Sequence, residues 1–226
     1  LFEQGEPVGN LVKLRAHFID SLLVFAWKLK VPEKAEVALI AVGGYGRGEL
    51  LPGSDIDIMI LLGEKLHQKL PGALGELLTF FWDIGLEVGH SVRTVDECVQ
   101  QAKQDITVIT SLMESRLLAG PQQLFDSLRE ATGPDRIWPS DRFFQAKREE
   151  QRRRYLKYDD TISNLEPNVK ESPGALRDLQ TIDWVAKRHF GANRMSDLLK
   201  AGLPRAYDAK PDEPTYLYIG GNEKHP

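Results

Sequence analysis

Two aspartates separated by one residue, Asp55-Ile56-Asp57, follow a glycine pair, Gly43-Gly44, with ten residues between. The pair of acids opens the run Asp55–Leu61, at the start of which carboxylate and hydrophobe alternate. On an extended chain side chains repeat every two residues, so Asp55 and Asp57 share one face while Ile56 and Ile58 point into the core. Their Cα atoms would lie about 6.5 to 7 Å apart, within reach of one hard cation between the carboxylates. Mg²⁺ suits such a pair because it relieves the repulsion and takes oxygen ligands, and Mn²⁺ is the alternative ion. The spacing makes Asp55 and Asp57 the candidate metal ligands and catalytic acids.

The segment between the strands adds groups that suit phosphate. Gly43, Gly44, Gly46 and Gly48 let backbone amides approach an anion with no Cβ in the way. Arg47 offers a planar fork, and Ser54 a hydroxyl beside the acidic pair. Val37–Val42, aliphatic and too short for a helix, reads as a buried strand ended by the glycines.

These residues resemble a known pattern. Gly43-Gly44 followed by Asp55-Ile56-Asp57 is similar to the signature of the DNA polymerase β-type nucleotidyltransferase superfamily. The longer string GGYGRGELLPGSDIDIMILL resembles the PII uridylyltransferase family of bacterial nitrogen control. The resemblance implies an α+β fold, a small mixed nucleotidyltransferase sheet with packed helices, followed by a helical domain. It implies UTP as donor, Mg²⁺ as cofactor and a tyrosine of the PII signal-transduction protein as acceptor. It also implies a third acid on a later strand. There Gly85–Arg93 alternates, with Leu86, Val88, His90 and Val92 on one face and Glu87, Gly89, Ser91 and Arg93 on the other. Gly89 holds the central position without a side chain; Glu87, one step away on its face, is a candidate third carboxylate, with an ordinary exposed strand glutamate as the commoner case and Asp83 in a turn as a weaker candidate. Arg93 shares that face and would meet phosphate or pair with Glu87. His90 falls on the apolar face and reads as a hydrogen-bonded core histidine.

The elements that must position these groups follow from periodicity. Leu11, Leu14, Phe18, Leu22, Phe25, Ala26 and Leu29 recur at three and four residues, predicting a helix capped by Asn10 that lays this stripe behind the sheet. A crossover helix is expected over Leu66–Trp82, with Pro71 as an alternative opening. Thr94-Val95-Asp96-Glu97 is a capping box, which starts a helix that packs Cys98. Asp105–Leu118 and Pro121–Thr132 read as two more helices. Ser111–Gly120, SLMESRLLAG, also resembles the family, with Arg116 either on the nucleotide side or in a salt bridge.

Residues 135–204 read as an incomplete helical domain after a transferase domain at 1–134. Its charged stretch around Lys147 and Arg152–Arg154 is an exposed helix or, alternatively, a docking surface. Lys170, Pro173, Gly174, Leu176, Arg177 and Asp178 resemble the string that opens the family's helical domain, with Ala175 where a second glycine is expected. Residues 205–226, rich in Pro and turn formers, read as a loosely ordered tail, with Thr215–Ile219 as a conceivable edge strand.

Composition narrows the partners. A net charge of −4 argues against a nucleic-acid surface, and Asp20 and Lys28 interrupt the longest apolar run, which argues against a membrane span. The single Cys98 cannot form an internal disulfide and fits a reducing cytoplasm. The chain starts without Met, as a piece of a longer protein would. None of its five histidines precedes an Asp, so the family's His-Asp hydrolase site is not in this stretch. Three other readings stay open: another nucleotidyltransferase using ATP, a non-catalytic nucleotide-binding module, and an interaction domain using the basic stretch.

Overall fold

The computed structural model describes residues 5–64, 70–157 and 168–191. The chain divides into two compact units, Leu1–Glu149 and Glu150–Pro226. The first is α+β, as the sequence leads one to expect. It runs α1 (Val8–Lys30), β1 (Val37–Ala41), α2 (Gly43–Gly46), β2 (Ile56–Leu62), α3 (Leu70–Asp83), β3 (Val88–Thr94), α4 (Val95–Gln104), α5 (Ile106–Met113), β4 (Arg116–Ala119) and α6 (Gln122–Ala131). Helix α7 (Ser140–Lys157) begins in this unit, and α8 (Leu176–Phe190) belongs to the second.

The four strands form one mixed sheet in the order β3-β2-β1-β4. β1 is antiparallel to both neighbours, with Ile40 opposite Met59 and Ala41 opposite Arg116. β2 and β3 are parallel, which requires a crossover, and α3 supplies it. Every residue of β1 is buried, as an aliphatic strand flanked on both sides must be.

Helix α1 corrects the expected stripe. It starts at Val8 after Pro7, and the Asn10 side chain bonds Glu6 instead of capping the helix. Its buried face is Ala16, Ile19, Leu23, Ala26 and Trp27, while Leu14, Phe18, Phe25 and Leu29 are exposed, Phe18 by 68%. Both faces carry apolar residues at helical spacing, so periodicity alone does not choose between them. Asp20 decides it, because its carboxylate bonds Tyr45 and Arg116 and turns the helix so that this side faces inward.

The capping box forms as read: Thr94 and Glu97 satisfy each other's backbone amides at the start of α4. Asp105–Leu118 is not one helix. Helix α5 ends at Met113 and Arg116–Ala119 pairs with β1 as an edge strand, so long-range ladder bonds override a locally helical pattern. The expected crossover helix is described from Leu70; residues 65–69, the tail and its proposed edge strand lie outside the described residues. Among the described residues no helix is long and apolar enough to cross a membrane.

In the second unit Asp178 collects donors. Gln151 Nε2 at 2.8 Å, the Gly174 amide at 2.7 Å, Tyr155 Oη and the Arg154 guanidinium all bond its carboxylate. Burial and then Asp178 push the Tyr155 pKa up. Arg177 pairs with Glu171 at 2.9 Å and lies over the Trp184 ring. Ala175 caps α8 with φ −84°, a conformation open to any residue, so no glycine is needed there.

Candidate functional site

The chain leaves β1 at Val42, whose amide still bonds the Asp57 carbonyl at 3.1 Å, and turns at once into α2. This is one helical turn and not an open loop: the Gly46 and Arg47 amides bond back to Val42 and Gly43. Gly43 makes the entry at φ +58°, where a side chain would be strained. A Cβ there would also sit 3.8 Å from both Asp57 Oδ2 and Ser111 Oγ. Gly46 packs directly on the Glu114 carbonyl, with no room for a side chain.

Asp57 is the second residue of β2, half-buried, with buried Ile56 and Ile58 on either side. Asp55 lies one residue before the strand and is exposed. Across the parallel ladder Asp57 faces Gly89, and a Cβ on Gly89 would come within 2.4 Å of Asp57 Oδ1. An open cavity of about 390 Å³ forms over this point. Its lining includes Asp57 and Met59 of β2, Gly89, Ser91 and Arg93 of β3, and Thr107 and Ser111 of α5.

The sequence-predicted residues divide accordingly. Asp57 and Arg93 line the cavity, and Gly43 abuts Asp57. Arg47 does not line it. Its Nη1 bonds Glu114 Oε1 at 2.6 Å and its Nε bonds Glu49 at 3.1 Å, so the fork read as a phosphate clamp is occupied by carboxylates. Burial works against the Arg47 charge, yet Glu114 and Glu49 outweigh it and the pKa is raised. Gly44 lies beside this guanidinium, where a Cβ would stand 3.5 Å from Nη2. Ser54 is exposed in the turn before β2, outside the lining. Glu87 is exposed, one residue short of β3, and is likewise not in the lining.

His90 corrects its expectation. It is exposed, beside the Trp82 ring at 6.0 Å, because β3 is an edge strand and only Val88 of that strand is buried.

Sequence reasoning missed the cavity wall from α5, Thr107 and Ser111; it offered a salt bridge for Arg116, and the structure supplies Asp20 as the partner. Arg116 grips Asp20 with two bonds, 2.7 and 3.0 Å, and Tyr45 Oη donates to the same carboxylate at 2.6 Å. Arg116 also reaches the Gly46 carbonyl at 3.3 Å, tying α1, α2 and β4 together. Burial, then Asp20, pushes the Tyr45 hydroxyl's pKa far up. The signal for this set was SLMESRLLAG, which holds Ser111, Glu114 and Arg116.

Among the described residues no three His, Cys, Asp or Glu side chains gather as a metal cage. Asp57 lines the cavity and Asp55, exposed, is outside its lining; a pair of carboxylates is a donor set that suits Mg²⁺.

Residues 1–91 match the nucleotidyltransferase family designated DUF294, and residues 142–211 match the GlnD PII-uridylyltransferase family. The chain is 52% identical, over 203 residues, to a bifunctional uridylyltransferase/uridylyl-removing enzyme of Ectopseudomonas mendocina, covering 89% of this chain and 23% of that protein. The enzyme of the same name in Azotobacter vinelandii is 50% identical over the same shares. The chain thus spans about a quarter of the length of these curated relatives. A crystal structure of an MntA toxin-antitoxin complex aligns at 16% identity and a TM-score of 0.34, covering 64% of this chain and 98% of that one. By the two family matches and the identity to these relatives, the chain is related to the nucleotidyltransferases and matches a segment of the bifunctional uridylyltransferase/uridylyl-removing enzymes.

Proposed function

We propose that this chain carries out nucleotidyl transfer, moving UMP from UTP to a tyrosine hydroxyl of the PII signal-transduction protein with release of pyrophosphate, in the cytoplasm. The observation that carries the reading is the convergence of Asp57, Gly89 and Arg93 at one open cavity, with Gly43 set against Asp57. In-line displacement needs carboxylates, a close backbone approach and a cation arranged around one phosphate chain.

The phenolic oxygen of the acceptor attacks the α-phosphorus and forms the new O–P bond. The bond from the α-phosphorus to the bridging oxygen breaks, and its electron pair leaves with pyrophosphate. Asp55 and Asp57 are the ligands for Mg²⁺, or Mn²⁺, which when bound neutralises charge on the triphosphate oxygens. The amides of Gly43 and Gly44 and the Arg93 guanidinium hold the phosphates in line. Ser54 borders the acidic pair, and Arg47 acts through its bonds to Glu114 and Glu49, fixing the turn. Glu87, two residues before Gly89, takes the phenolic proton.

Intact-protein mass spectrometry of PII, incubated with this chain, Mg²⁺ and each nucleoside triphosphate in turn, tests the reading. One uridylyl adduct with UTP alone supports it. An adenylyl adduct with ATP alone would move the chain to the adenylyltransferase type, and no adduct with any donor would overturn transfer to PII.

A further inference from the structure

We infer that the Ser111 hydroxyl is a ligand contact, donating a hydrogen bond to a phosphate oxygen of the bound nucleoside triphosphate; this rests on the nucleotidyl-transfer reading. The first observation is position. Ser111 lines the cavity with Asp57 and Arg93, and its Oγ and Asp57 Oδ2 lie equally far, 3.8 Å, from the Cβ point of Gly43. A group resting against Gly43 is therefore near both the hydroxyl and the carboxylate.

The second observation is the hydroxyl's own bonding. A serine or threonine inside a helix usually gives its proton to the carbonyl four residues back. Ser21, Thr110, Ser127 and Thr181 do so, at 2.9, 2.6, 2.9 and 2.8 Å. Thr107, the other hydroxyl of α5 in the lining, gives its proton to Asp105 at 2.7 Å. Ser111, half-buried and next in sequence to Thr110, makes no side-chain hydrogen bond with the described residues. Thr79 shares that lack, but it is exposed to water.

In the open cavity water can reach the hydroxyl, and Ala would suit the helix better, so a donor kept free of its own helix is available to what enters the cavity. Phosphate oxygens accept hydrogen bonds and carry no proton to compete. Arg93 on the same lining supplies the positive charge that such oxygens require.

Calorimetry with UTP and Mg²⁺ compares wild type with Ser111→Ala, and uridine is measured by its competition with UTP. The expected result is UTP binding weakened roughly tenfold to a hundredfold, uridine unchanged and the thermal midpoint kept. Ser127→Ala, which removes a hydroxyl already bonded to its own helix, leaves UTP affinity as it was. Unchanged UTP binding in Ser111→Ala, or equal weakening of UTP and uridine, would overturn the inference while leaving the transfer reading standing. Absence of UTP binding in the wild type would remove both.

Discussion

Gly89 is the space that the Asp57 carboxylate occupies: the two are partners across the parallel ladder, and a Cβ on Gly89 would stand 2.4 Å from Asp57 Oδ1. The glycine that leaves β3 without a central acid is thus required by the acid on β2. Gly89→Ala should push the carboxylate aside, and a displacement of about an ångström at such a site costs on the order of a hundredfold in rate. Because the clash is with the end of a side chain and not with backbone, the fold should persist. Steady-state transfer rates beside thermal midpoints check both halves. Full activity in Gly89→Ala would mean that the carboxylate's position is unimportant.

Asp55→Asn and Asp57→Asn should each lower transfer by at least about a hundredfold, the usual scale for removing a group that stabilises transition-state charge. Both should keep the circular dichroism of the parent. Glu87→Gln has a smaller expected effect, a roughly tenfold to hundredfold loss in kcat with KM for UTP unchanged, as for loss of a general base. A Glu87→Gln variant running at the full rate would exclude that role and leave the phenolic proton to solvent.

The brace behind α2 should register as stability first. Asp20→Ala strands the Tyr45 hydroxyl, in a residue only 1% exposed, and leaves Arg116 without its paired carboxylate. A loss of about 2 kcal/mol is expected, the Arg116 share being reduced because that side chain is partly solvated. Urea denaturation of Asp20→Ala, Arg116→Ala and the double variant measures it. Additive losses in that cycle would show that the two residues are not coupled.

Cys98 is wholly buried, and burial pushes its thiol up to about 11 from an ordinary value of 9.0. Below pH 9 the thiol is protonated folded or unfolded, and it adds no pH dependence. Between pH 9 and 11 the unfolded chain gives up the proton while the native state keeps it, so stability falls as pH rises. The fall should be about 1 to 3 kcal/mol and should flatten in Cys98→Ala. Unfolding midpoints across that range decide it, and the same slope in both proteins would assign the effect to other groups, Tyr45 first.

Much of this molecule is written locally. The aliphatic run of β1 and the box at Thr94 depend on neighbours a few residues away and formed as read, and the strand at Asp57 formed with Asp55 just before its start. Of the Gly43-Gly44 and Asp55-Ile56-Asp57 residues, Asp57 lines the cavity and Gly43 abuts it. What the sequence by itself did not decide were choices between local options of nearly equal energy. Which apolar face α1 buries turns on Asp20, whose partner Arg116 is far away along the chain. Arg116–Ala119 is a strand because β1 offers it a ladder. Arg47 meets Glu114 because α2 packs on the end of α5, and that pairing turns a phosphate fork into a brace. Ser111 reaches the cavity for the same reason, since packing of α5 against the sheet, and not spacing along the chain, brings its hydroxyl beside Gly43.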